Sequence, residues 1–168
     1  RGFLFARTSV KRVSLFIDYQ NVYMRSRRVF FSENSFPNTS GQIDPGKLGS
    51  LLTSKIADAE LSKVYVYRSL PSGHDSKNYS ATRRQIAAWE KNSKVETRTM
   101  PLKYPKSHEV GGRNGKPQEK GIDVLLAIDF VTKAFKNEFD VGIIFSVDSD
   151  LKPALLFAED PAIKPVAH

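Results

Sequence analysis

The chain has 168 residues, a formal charge of +8, 40% hydrophobic residues and no cysteine. This excludes a disulfide scaffold, a thiolate metal site and a thiol nucleophile, and eleven phenylalanines argue against intrinsic disorder. The longest apolar runs, such as V-L-L-A-I at Val124–Ile128, are far too short to span a bilayer, so no membrane is expected and a cytoplasmic location is.

The start, R-G-F-L-F-A-R, has no initiator methionine and no long apolar stretch, and reads as the remnant of a longer chain rather than a signal peptide. Residues 1–11 form an expected N-terminal tail. R-V-S-L-F-I-D at Arg12–Asp18 is apolar, partly β-branched and ends in Asp, the pattern of a buried strand. A polar loop rich in Ser, Asn, Pro and Gly is expected from there through Gly41. Asp44-Pro45 pairs an N-cap with proline at the first helical position and opens a helix to about Ala59. K-V-Y-V-Y-R-S at Lys63–Ser69 is a second strand. Asp75 to Asn92 has helical spacing, with Tyr79, Ile86 and Trp89 as its apolar stripe. V-E-T-R-T-M at Val95–Met100 alternates and makes a third, more exposed strand.

Residues 101–118 hold three clusters of helix- and strand-breaking residues and four Lys/Arg, which predicts a flexible basic loop. Glu119–Asn137 reads as a long helix, nearly apolar on one side. Phe139–Ser146 is a fourth strand, and Ser149–Glu159 a closing helix with Pro153 in its first turn. Strands alternating with helices predict one α/β domain over residues 12–160, with a three-layer, Rossmann-like arrangement and a mainly parallel central sheet. Residues 161–168 are left as a tail or a short edge strand, because Pro161 and Pro165 disfavour a full one.

Charge is unevenly spread. Residues 1–28 carry seven Lys/Arg against one acid, and residues 61–120 thirteen against five, whereas residues 121–168 carry eight acids against four lysines. A basic body around an acidic cluster suits a polyanion held over a cation site, although ordinary solubility accounts for the same numbers.

The acids are the informative feature. Sites in parallel α/β folds gather at the carboxyl ends of strands. Strand one ends in Asp18, and F-S-V-D-S-D-L at Phe145–Leu151 puts Asp148 and Asp150 just after strand four. Each has a structural explanation. Asp18 could start a turn, Asp148 or Asp150 could cap the last helix, and Asp123 could complement a helix dipole. Asp129, six residues after Asp123, lies about 240° round the helix and suits a supporting role. Together, however, carboxylates converging on one edge repel unless a cation or a shared proton joins them. Oxygen ligands without Cys or suitably spaced His favour Mg²⁺ or Mn²⁺ over Zn²⁺. His74, His108 and His168 show no ligand spacing, and no phosphate-binding glycine loop or serine-hydrolase elbow is present.

Three segments carry a resemblance. D-Y-Q-N at Asp18–Asn21, E-K-G-I-D-V-L-L-A-I-D at Glu119–Asp129 and S-V-D-S-D-L-K-P at Ser146–Pro153 resemble, in order and spacing, the motifs of the NYN domain. That family belongs to the PIN-like nuclease group and is related to the LabA-type proteins. The resemblance covers about Arg12 to Glu159. It implies a metal-dependent ribonuclease with Asp18, Asp123, Asp148 and Asp150 as catalytic and metal-binding acids, and Mg²⁺ or Mn²⁺ as cofactor. Asn21, Ser146 and Lys120 would give polar support. Val147 stands where the family pattern has glycine.

RNA, single-stranded or structured, is the expected partner, and homodimer formation is left open. Arg83 and Arg84 on the helix after Tyr79, with Lys103, Lys106, Arg113 and Lys116 in the loop, are the candidate RNA contacts. The rival from another class is a catalytically silent nucleic-acid-binding module that keeps the fold and the basic surface.

Overall fold

The computed structural model describes residues 9–31, 37, 39–72, 75–104 and 120–159, the side chain of Ser76 excepted. Four strands form one sheet: β1 (Lys11–Asp18), β2 (Ala59–Leu70), β3 (Val95–Pro101) and β4 (Val141–Phe145). Their order is β3-β2-β1-β4, and all three pairings are parallel. Five α-helices join them: α1 (Tyr19–Phe30), α2 (Pro45–Thr53), α3 (Ser76–Trp89), α4 (Ile122–Phe135) and α5 (Lys152–Glu159).

The layering follows from the period-two alternation of strand side chains. Leu15 and Ile17 of β1, with Val64 and Val66 of β2, pack with Tyr19 and Val22 of α1 and Ile86 and Trp89 of α3. Phe16, Tyr65 and Tyr67 point the other way, onto Ile122, Leu126 and Phe130 of α4. The expected three-layer α/β architecture is therefore the observed one. Because β1 is covered on both faces, its residues from Val13 to Asp18 are all buried.

Two boundaries differ from the sequence expectation. The stretch after Asp18 is helix α1 rather than loop. Asp18 caps it by accepting the Asn21 backbone N–H, Tyr19 and Val22 bury its inner face, and Arg27 and Arg28 close its last turn. No glycine or proline interrupts residues 19–31, and the predicted loop composition begins only at Ser32. Strand β2 starts at Ala59, where it pairs with Lys11, so α2 ends earlier, at Thr53. The closing segment divides into a 3-10 turn at Ser149–Leu151 and then α5. The other elements lie where expected, including β3, whose residues beyond Val95 are half-buried or exposed.

The topology places the site. The chain steps from β1 to β2 to β3 in one direction, then crosses back through α4 to β4 on the far side of β1. The order reverses between β1 and β4, and at such a switch point a crevice opens beyond the carboxyl ends of the two strands. No helix among the described residues is long and apolar enough to cross a membrane.

Candidate active site at the β1–β4 switch point

Asp18 is the last residue of β1 and only 6% exposed. Its Oδ1 accepts the Asn21 backbone N–H at 3.1 Å, and its Oδ2 accepts the Ser146 hydroxyl at 3.2 Å. Ser146 follows β4, and its Oγ in turn accepts the Asp148 backbone N–H at 3.1 Å. Asp148 Oδ1 accepts the Asp150 N–H at 2.9 Å and so caps the 3-10 turn. Asn21 closes the circuit from α1, its Oδ1 accepting the Val147 N–H at 3.2 Å. One serine hydroxyl thus ties the end of β1 to the loop after β4, across the point where the strand order reverses.

The structural and functional readings of these acids coexist. Asp18 and Asp148 are both helix or turn caps, and a cap uses one of the roughly four lone-pair positions of a carboxylate, with the Ser146 hydroxyl on the other oxygen of Asp18. Asp150 is exposed in the first turn that Asp148 caps.

Asp123 reaches the same sheet edge by another route. Gly121 caps α4 in the left-handed conformation (φ 82°) beside Met100 near the end of β3, and Asp123 lies in the first turn that follows. A side chain at Gly121 would be strained by that φ, which fits the Lys-Gly-x-Asp start read from the sequence. Lys120, exposed, precedes it. The expected meeting of Asp18, Asp123 and Asp148 on one cation is not seen: among the described residues, no three His, Cys, Asp or Glu side chains form a group that could hold an ion. Asp129 has the supporting role expected. It accepts the Tyr67 hydroxyl at 2.9 Å and pairs with Arg98 at 3.5 Å, pinning α4 over β2 and β3.

A cavity of about 660 Å³ opens between α1 and α3, lined from Tyr19 and Gln20 onward, the residues that follow Asp18 in the chain. Arg84 lines it, whereas Arg83 is exposed on the same helix and does not. Lys103 is exposed just after β3, and Lys106, Arg113 and Lys116 lie outside the described residues. The cavity also brings in residues the sequence reading did not nominate: Tyr19, Gln20, Tyr23, Gln42 and Arg68. Arg68 sits over the Tyr19 ring at 5.1 Å and donates to Gln85 Oε1 and to Thr82 Oγ1, and Gln85 Nε2 donates to the Tyr19 hydroxyl at 2.9 Å. Burial raises the Tyr19 phenol above its ordinary pKa, opposed by the Arg68 charge. The sequence signal was present in Tyr19, Gln20 and Tyr23, but it was hidden by reading that stretch as loop.

The NYN domain model matches residues 12–159, most of the chain. The chain belongs to the NYN domain family. A crystal structure of a protein of unknown function from Vibrio parahaemolyticus is similar to this NYN domain with a TM-score of 0.58 and 18% identity, covering 94% of this chain and 79% of that one. At that identity the likeness is one of fold. No curated protein matches the chain.

Within the NYN domain, the valine in place of the motif glycine needs no special backbone. Among the described residues, only Asp58 and Asn137 have positive φ without being glycine, so Val147 stands in a conformation open to any residue. The residue is 62% exposed, and its N–H is held by Asn21. The substitution leaves the Asp18–Ser146–Asp148 connection in place.

Proposed function

We propose that this NYN domain is a metal-dependent ribonuclease that hydrolyses RNA phosphodiester bonds at the carboxyl edge of β1 and β4. The observation that carries the reading is the Ser146 hydroxyl joining the buried Asp18 carboxylate to the Asp148 turn at the topological switch point. A nuclease-like fold is what the NYN family match supports.

The donor set fits Mg²⁺ or Mn²⁺. Mg²⁺ usually takes one or two protein carboxylates and completes its shell with waters and substrate phosphate, so a three-acid cage is not required. Asp18 and Asp148 would hold it, with Asp123 and Asp150 extending the acidic edge. When bound, such an ion activates a water for in-line attack and stabilises the leaving oxygen. The chain's own residues supply orientation. Ser146 and the Asn21 N–H fix the two oxygens of Asp18, so the carboxylate does not rotate when substrate arrives. Asn21 also holds the Val147 N–H and thereby the loop that carries Asp148. Arg84, and the basic residues that give the chain its net +8, would offset the repulsion between the acids and the RNA backbone.

A second reading, a silent RNA-binding module, is favoured by the absence of a three-acid group among the described residues. Incubating labelled single-stranded RNA with the protein in Mn²⁺ or in EDTA separates the two. Metal-dependent cleavage that Asp18→Asn abolishes supports the nuclease. RNA binding with no cleavage in either condition supports the module.

A further inference from the structure

We infer that the cavity between α1 and α3 is a nucleotide subsite that seats an unpaired RNA base next to the phosphate held at Asp18, a placement that rests on the nuclease reading for its neighbour but not for its own chemistry. Its volume of about 660 Å³ falls in the range of roughly 300–1,000 Å³ typical of small-ligand pockets. It begins one residue after Asp18, with Tyr19 and Gln20, so a strand whose phosphate lay at Asp18 would have its adjoining base within reach of the opening.

The lining has the chemistry of a base pocket on a polyanion track. Among the described residues that line it there are two arginines, Arg68 and Arg84, and no carboxylate. Its accessible aromatic ring is the half-buried Tyr23; Tyr19, only 2% exposed, lies parallel behind it at 6.3 Å, with Trp89 against Tyr19 at 4.5 Å. Arg68, Gln85 and Thr82 lock Tyr19 in place, so the support behind Tyr23 is fixed before any ligand arrives. The side chains of Gln20, Gln42 and Arg84 line the space without a hydrogen bond to a described residue. Carboxamides carry a donor pair and an acceptor, which is what the edge of a base requires, and unpaired bases are read by this combination of edge contacts and flat apolar walls. An acidic peptide would use the arginines but leave the amides and the Tyr23 ring without a purpose.

The test is a binding titration of a short labelled single-stranded RNA in EDTA, so that catalysis plays no part. Gln42→Ala and Arg84→Ala remove solvent-exposed cavity groups, and Lys91→Ala removes an equal charge just beyond α3, outside the cavity. Thermal melts by circular dichroism establish that all three remain folded. The expected result is a loss of affinity of at least about fivefold for Gln42→Ala and for Arg84→Ala, the low end of what one base-edge contact contributes, with a smaller loss for Lys91→Ala. Affinity for Gln42→Ala within about fivefold of wild type, or an equal loss for Lys91→Ala and Arg84→Ala, would overturn the assignment. Absence of Mn²⁺-dependent cleavage would remove the nuclease reading and leave this result standing.

Discussion

A single hydroxyl holds two of the acids of this NYN domain in register. Ser146 donates to Asp18 and accepts from the Asp148 N–H, so Ser146→Ala leaves Asp18 Oδ2 and that N–H without it. A lost hydrogen bond of this kind costs about 0.5–1.5 kcal/mol, which a urea unfolding curve resolves. The effect on cleavage should be larger, because a 1 Å misplacement of a catalytic group can cost about a hundredfold in rate. The expected pattern is a fall in kcat with KM little changed. A rise in KM alone would make Ser146 a substrate contact instead of a positioning residue. The aspartates were legible in the sequence because they end apolar strands, where a carboxylate needs a reason. The capping role of Asp148 was legible as an alternative, whereas Asp18 was read as the start of a turn because the stretch after it was read as loop. That Asp123 forms no three-acid group with Asp18 and Asp148 among the described residues was not legible. It depends on how α4, held at Asp129 by Tyr67 and Arg98, lies against the sheet, and sequence spacing carries no measure of that.

Elements were easier to read where burial fixed the pattern. The two-sided burial of β1 and the Asp44-Pro45 start of α2 follow directly from composition. Helix α1 was missed because its exposed residues mix Arg25 and Arg28 with Met24, Val29 and Phe30, and only Tyr19 and Val22 are buried, so no clear apolar stripe shows. Strand β4 shows how close the packing is. A Cβ at Gly142 would lie 2.5 Å from the Phe139 ring and 2.7 Å from the Phe130 ring, and those rings already pack on each other and on Phe16. Gly142→Ala should therefore destabilise by about 1–3 kcal/mol, as overpacking does, measured by thermal or urea unfolding. The joint between β2 and α4 has a pH signature. Burial, then the hydrogen bond to Asp129, raises the Tyr67 phenol far above its usual value of 10.0, and burial raises Tyr19 and Tyr65 as well. A pKa raised in the folded state contributes stability that is fully present below the unfolded value and lost as pH rises above it. Melting temperature should accordingly fall once pH passes about 10, and Tyr67→Phe should make that fall shallower. An unchanged alkaline limb in the variant would show that Tyr67 is not its source.

At the scale of the molecule, charge is divided by segment: the acids concentrate in residues 121–168 and at Asp18, while the basic excess lies in residues 1–28 and 61–120. If the basic residues form the track for RNA, affinity must fall steeply with salt, the logarithm of the binding constant dropping by about 0.7 per phosphate neutralised for each unit of log salt. Fluorescence titrations across a salt series check this, and a flat response would deny the basic surface any part in binding. The central claim, that the paired aspartates exist for chemistry as well as for capping, meets its most direct test in Asp148→Asn. Asparagine is as good a cap as aspartate and keeps an oxygen for the Asp150 N–H, so the turn should survive. What is lost is one negative charge beside Asp18. Cleavage of labelled RNA in Mn²⁺, measured with RNA affinity in EDTA, should then show a rate loss well beyond about tenfold with binding unchanged or tighter, given the several kcal/mol that a metal ion supplies. A rate within about tenfold of wild type would contradict it, and Asp148 would be the cap of a 3-10 turn and nothing more.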